Sequence, residues 1–300
     1  MVSFWDVQNK NKLYSYALVF IIFLILSGLF FLVSLLYGNN VYLLLFLGLF
    51  SVLYPLITYF YSHKIVLFFT GAKPADPIKD IYLINVGEGL ALAAGLKKPP
   101  KFYIIEDPSP NAFATGPDPD NAVIAVTRGL LNIANRQELE GVIAHEMSHI
   151  KNYDTRFMTV VVVMIGLISF LGSILSRSIL YSSSTNRRSK SGGGSSLILL
   201  AIFLIAIITP FIARLISLAI SRKREFLADS TAVQLTRNPE GLASALEKIK
   251  NSTKSEIDYG PARALFISDP QKEDSILKGI SNLFSTHPPI EERIKILRSM

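Results

Sequence analysis

Between Leu13 and His63 the chain carries no Asp, Glu, Lys or Arg. Two unbroken apolar runs fill that window, LYSYALVFIIFLILSGLFFLVSLLY (13–37) and VYLLLFLGLFSVLYPLITYFY (41–61). Each is long enough to cross a bilayer, which takes about 20 helical residues. Only Gly38, Asn39 and Asn40 lie between them, so a tight helical hairpin is expected. Pro55 is expected to kink its second arm, because proline removes a helix hydrogen bond. A cleaved signal peptide does not fit, since its apolar core is shorter and ends at a small-residue cleavage site.

Two later runs repeat the pattern, FMTVVVVMIGLISFLGSILS (157–176) and SLILLAIFLIAIITPFIA (196–213). The segment between them, 177–195, is basic and rich in Ser and Gly and reads as a flexible loop. Buried core helices of a soluble protein are the alternative, but apolar runs of about 18 residues or more favour the membrane. The expected organisation is then a transmembrane hairpin over 13–62 and a water-soluble part over 64–156. A second hairpin follows over 157–220, and a second soluble part over 221–300. A net charge of +7 is compatible with nucleic acid or with an anionic membrane. The distribution of apolar residues selects the membrane, and no nucleic-acid partner is expected. Lys10, Lys12, Lys64, Lys151, Arg156, Arg222, Lys223 and Arg224 flank the spans on one side, against Arg177, Arg187, Arg188 and Lys190 on the other. Positive charge accumulates on the inner side of a membrane, which puts the amino terminus and both soluble parts inside.

In the first soluble part, residues 80–96 have helical spacing. KFYIIED (101–107) and NAVIAVT (121–127) read as short strands, and 107–120 reads as turn-rich around a small apolar stretch, Ala112 to Thr115. Asn135 with Glu138 three residues on has the form of a capping box that opens a helix. That helix contains GVIAHEMSHI (141–150).

His145 and His149 are four residues apart, so on a helix both imidazoles reach one ion from one face. Glu146 is turned by about 100° from His145 and lies beside the ion. This is the H-E-x-x-H arrangement of zinc peptidases, with the glutamate as general base. The chain has no cysteine, so a metal must be held by nitrogen and oxygen. A catalytic site also needs a third protein ligand and a position open to water. The extended metzincin motif would place Gly at 152 and His at 155, but Asn152 and Thr155 stand there. Asp154 falls on a different face of a continued helix and reads as a helix-end residue. The third ligand is therefore expected from another segment, and SRKREFLADSTAV (221–233) offers Glu225 and Asp229 on one helix face. In that reading Glu225 is the ligand, and Asp229 hydrogen-bonds a ligand histidine and fixes its tautomer. His63 ends a span and has no expected catalytic role.

HEMSH, then REFLAD after a hydrophobic hairpin, then THPPIEERI together resemble the HtpX family of membrane zinc proteases. The amino-terminal hairpin, NAFATG (111–116) and the SRKREF lead-in match as well, so the likeness covers most of the chain. The resemblance implies a mainly helical α+β fold of zincin-like (gluzincin) type, with a small sheet, built on the two transmembrane hairpins. It implies one Zn2+ per subunit on His145, His149 and Glu225, with Glu146 as catalytic base. Asp229 supports the ligands, and His287 and Arg293 stabilise the oxyanion. Asn111, Ala112, Phe113 and Ala114 match the family's substrate-aligning edge strand, which pairs with an extended peptide. The implied activity is zinc-dependent endopeptidase cleavage of misfolded or membrane proteins, serving quality control and the stress response. The implied location is the inner (plasma) membrane, multi-pass, with the catalytic site facing the cytoplasm. The related CAAX prenyl protease shares the catalytic positions but has more spans. A membrane-anchored scaffold with a structural zinc would need a fourth protein ligand, and none is evident. A transporter would need polar residues inside its spans.

Position adds one expectation. His149 precedes Phe157 by about 12 Å of helix at 1.5 Å per residue, and Glu225 follows directly on Arg222 to Arg224. Both ligand segments run into the bilayer, so the site should lie close to the inner membrane face, within reach of membrane-protein substrates. Residues 251–283 receive no assignment.

Overall fold

The computed structural model describes residues 41–163, 222–270 and 288–300, with isolated helical positions between 9 and 27. The loop 177–195, the second hairpin beyond residue 163 and His287 lie outside the described residues. The chain is mostly helical with one small sheet.

Helix α1, Val41–Phe69, covers the second apolar run and continues past residue 62, where a hairpin is expected to end. Position 55 does not end it. Ser27 Oγ donates to Ser51 Oγ at 3.0 Å, a contact between the first and second apolar runs. At its far end Val66 and Leu67 are buried against the protein body. Most of the described apolar side chains earlier in the helix are exposed, Tyr42, Leu45, Phe46 and Phe60 among them. Among the described residues, no helix is long and apolar enough to cross a membrane.

The sheet comprises β1 (Lys73–Pro74), β2 (Lys101–Ile105), β3 (Ala112–Thr115) and β4 (Val123–Thr127), in the spatial order β1-β2-β4-β3. β2 and β4 are parallel, while β1 and β3 join them antiparallel. Every residue of β4 is buried, as a strand covered on both faces must be. Ile124 and Val126 face one hydrophobic cluster, with α2 (Ile81–Ala94) and α4 (Arg136–Lys151). Val123 and Ala125 face a second cluster, with the end of α1 and Phe157, Val160 and Val161. The strand's two-residue alternation thus builds two cores. β3, the small apolar stretch inside the expected turn-rich segment 107–120, is a strand at the sheet's edge.

The remaining elements are α3 (Arg128–Ile133), α5 (Arg222–Thr236), α6 (Pro239–Asn251) and α7 (Ile290–Leu297). α5 and α6 both pack on α4. Gly141 allows the close crossing with α6, because a Cβ there would stand 2.7 Å from the backbone nitrogen of Leu242.

Candidate metal and catalytic centre

α4 begins at the expected capping box. Asn135 Oδ1 accepts from the Glu138 N–H at 3.0 Å, and Glu138 Oε2 accepts from the Asn135 N–H at 2.7 Å. Glu138 also accepts from Ser244 Oγ and Lys248 Nζ of α6, both at 2.7 Å. The helix is thereby pinned at its start, and Leu139, Val142, Ile143, Met147 and Ile150 bury it along its length.

One turn apart on this helix, His145 and His149 bring their Nε2 atoms to 3.2 Å. Glu225 on α5 completes the group, with Oε2 3.7 Å from His145 Nε2 and Oε1 3.6 Å from His149 Nε2. All three residues are buried. A tetrahedral ion about 2.0–2.1 Å from each ligand requires edges of about 3.3–3.4 Å. The donor set and its spacing fit such an ion.

Each histidine has its own carboxylate on the opposite ring nitrogen. Asp229 Oδ1 lies 2.9 Å from His145 Nδ1, and Asp154 Oδ2 lies 3.1 Å from His149 Nδ1. With Nδ1–H directed at a carboxylate, Nε2 turns its lone pair toward the ion. The place of Asp154 corrects its reading as a helix-end residue. α4 stops at Lys151, Tyr153 takes the left-handed conformation at φ 60, and helix resumes over 154–163. The break carries Asp154 back to His149, which an unbroken helix could not do. Arg224 of α5 approaches the other Asp154 oxygen at 3.6 Å.

Electrostatics separate the two imidazoles. Burial and the Arg293 charge push His145 down to about 4, which favours the neutral ring that a metal needs. For His149, burial works downward, but Asp154 and Glu225 outweigh it and lift the ring to about 9. Burial pushes the Glu146 carboxyl up to about 7, with the Glu225 charge adding to it, while the Ala114 N–H works the other way by donating to the carboxylate.

Arg293, on α7, is buried beside these groups. Its Nε and Nη2 donate to Asp229 Oδ2 and Oδ1 at 2.9 and 2.7 Å, and its Nη1 donates to the Ile267 carbonyl at 3.1 Å. Asn111 to Ala114 lie at and within β3, with Ala114 next to Glu146. The structure therefore brings His145, Glu146, His149, Glu225, Asp229, Arg293 and the edge strand together. His287 is outside the described residues.

A model for the family described as Peptidase family M48 matches residues 77–300. The chain belongs to peptidase family M48. Among its relatives, a protein named Protease HtpX homolog from Dictyoglomus turgidum is 45% identical over 304 residues, covering 99% of this chain and 95% of its own. Another of that name, from Caldanaerobacter subterraneus subsp. tengcongensis, is 47% identical over 98% of this chain and 96% of its own. A crystal structure of S. mikatae Ste24p aligns over 97% of this chain and 66% of that chain, with 19% identity and a TM-score of 0.46, a distant likeness.

As an M48 member the protein is a metallopeptidase, a hydrolase of peptide bonds. The HtpX resemblance read from HEMSH, REFLAD and THPPIEERI agrees with the names of these M48 relatives. Sequence reasoning missed Asp154 at this M48 centre. The signal was present in part, as an acidic residue just past a helix whose continuation was assumed.

Proposed function

We propose that the chain is a membrane-bound, zinc-dependent endopeptidase that hydrolyses peptide bonds of misfolded or membrane proteins as quality control. The observation that carries the reading is the trio His145, His149 and Glu225 at the edge lengths of a tetrahedral site, with Glu146 beside it. One zinc per subunit, when bound, supplies a Lewis acid and a water whose pKa falls to about 7.

The chain's own residues divide the remaining work. Glu146, held by the Ala114 N–H, takes a proton from the attacking water and gives it to the leaving amine. Asp229 and Asp154 hold the ligand histidines in the tautomer that binds metal. Arg293 donates to Asp229 and the Ile267 carbonyl, which holds Asp229, and its Nη1 also stands 3.8 Å from Glu225 Oε2 at the edge of the centre. His287 and Arg293 are assigned to the oxyanion, where loss of one donor typically lowers turnover about 100- to 1000-fold. β3 receives the substrate as an added strand.

Three features support the membrane setting. α1 exposes a row of large apolar side chains with no charge among residues 41–63, more apolar surface than a soluble protein usually leaves uncovered. Lys12, at the start of the first apolar run, lies over the Tyr153 ring at 4.1 Å. Tyr153 is four residues beyond His149, which supports a centre near the inner membrane face. The charge distribution supports a cytoplasmic site in the inner (plasma) membrane.

The test is casein hydrolysis by detergent-purified protein with zinc, with a chelator, and with Glu146→Gln of measured zinc content. Chelator-sensitive cleavage that is absent from zinc-loaded Glu146→Gln is expected. A zinc-loaded wild type that leaves casein intact would overturn the broad-specificity reading, and prenylated peptides would be tried next.

A further inference from the structure

The edge strand is not open along its whole length. The Thr127 N–H donates to the Asn111 carbonyl at 3.0 Å, and the register pairs Phe113 with Ala125. Hydrogen-bonded pairs alternate in an antiparallel ladder, so Asn111, Phe113 and Thr115 bond to β4, while Ala112 and Ala114 turn their backbone groups outward, the Ala114 N–H onto the Glu146 carboxylate. At Ala112 both outward groups are taken. Its carbonyl accepts from the Ile267 N–H at 2.9 Å, and its N–H donates to Asn111 Oδ1 at 3.1 Å. The Asn111 amide reaches the next residue of the same segment, with Nδ2 donating to the Ser268 carbonyl at 2.8 Å. Residues 266–268 thus lie against the amino-terminal end of β3, joined to it by one backbone hydrogen bond and by the Asn111 side chain.

The energetics make this a fixture. Phe266 and Ile267 are 0% and 1% exposed. Phe266 meets the Phe113 ring edge-on at 4.9 Å and packs against Tyr259 at 4.7 Å. Arg293 holds the Ile267 carbonyl, and Lys254 Nζ donates to the Asp269 carbonyl at 2.7 Å. Exposing two such fully buried apolar side chains is costly. A hydrogen bond to an incoming peptide returns far less, because it replaces one already made to water, so a substrate does not displace the segment.

We infer that Phe266–Ser268 is a fixed wall that closes the edge strand at Ala112, so that a substrate pairs with β3 only from the Ala114 carbonyl onward. Ala114 stands beside Glu146, hence next to the scissile bond. Strand pairing is therefore confined to one side of the bond that is cut. The inference rests on the reading of β3 as the strand that receives substrate.

A backbone N-methyl scan tests it on the zinc-loaded wild-type protein in detergent, using a fluorogenic peptide whose cleavage site has been mapped. Each amide except the scissile one is methylated in turn and kcat/KM is measured. On one side of the scissile bond, methylation at alternate residues is expected to lower kcat/KM about fivefold or more, the scale of a lost hydrogen bond. On the other side the change should stay within about twofold, with no alternation. Alternating sensitivity on both sides would overturn the wall while leaving β3 pairing intact. Insensitivity on both sides would overturn β3 pairing itself, and the wall with it.

Discussion

Asp154 sets a carboxylate oxygen 3.1 Å from Nδ1 of His149, five residues earlier in the same segment. The contact exists because the chain leaves the helix at Asn152 and Tyr153 and re-enters it at 154. Asp154→Asn keeps the shape and removes the charge that orients His149. Metal affinity should fall roughly 10- to 100-fold while the fold survives. Zinc content at chelator-buffered zinc, read beside the far-ultraviolet spectrum, checks this. Unchanged zinc affinity would remove Asp154 from the site.

Asp229→Ala should behave differently from Asp154→Asn. It deprives His145 of its partner and also strands Arg293, a buried guanidinium with two bonds to that carboxylate. Breaking a buried pair by removing one member costs about 3–5 kcal/mol. Both zinc affinity and melting temperature should drop. A variant that melts like the wild type would show that Arg293 finds other partners.

Gly141 offers a test whose sign is set by packing. In an exposed helix, Gly→Ala gains about 1 kcal/mol. Here the new methyl would stand 2.7 Å from Leu242 N and 2.8 Å from Leu242 Cα, both backbone atoms of α6. Overpacking of that kind costs about 1–3 kcal/mol, so Gly141→Ala should lower the melting temperature. A rise would mean that α6 shifts without loss.

Glu138 couples the start of the metal helix to pH. Burial raises its carboxyl pKa, but Lys248, Ser244 and the Asn135 N–H outweigh burial and hold it below the ordinary glutamate value. A carboxylate whose pKa is lower folded than unfolded stabilises above the unfolded value of about 4.3, and that contribution fades as pH falls through the folded value. Wild type should therefore melt above Glu138→Gln at pH 7, and the gap should narrow below pH of about 4. A gap that persists undiminished to pH 3 would assign the effect to shape rather than charge.

Membrane attachment has a simple readout. The protein should stay with the membrane pellet through an alkaline carbonate wash and leave it only with detergent. Release by carbonate alone would place α1 and its apolar face against another protein instead of lipid.

Much of the centre was legible because it is local. The i, i+4 pair His145 and His149 and the Asn135–Glu138 box express backbone geometry that a sequence shows directly, and the β-branched content of Val123–Thr127 marks a strand. Glu225 was legible only through chemistry, since a two-histidine site without cysteine needs an oxygen ligand and REFLAD offered one. Asp154 was misread because a helix period was carried through a break. Residues 254–268 were silent, since the segment has no repeating pattern and its Phe266 and Ile267 gain their meaning from Phe113, Ala112 and Arg293.

By itself, then, the sequence determined the metal-binding helix, its cap and the apolar runs, because each follows from short-range geometry or bulk hydrophobicity. The tertiary structure alone decided which carboxylate serves which histidine, where the Arg293 guanidinium points and how much of the edge strand stays open. Those facts depend on residues far apart in the chain, set by how α5, α6 and α7 pack on α4 and by how Phe266–Ser268 seats on the sheet. No local period encodes such distances.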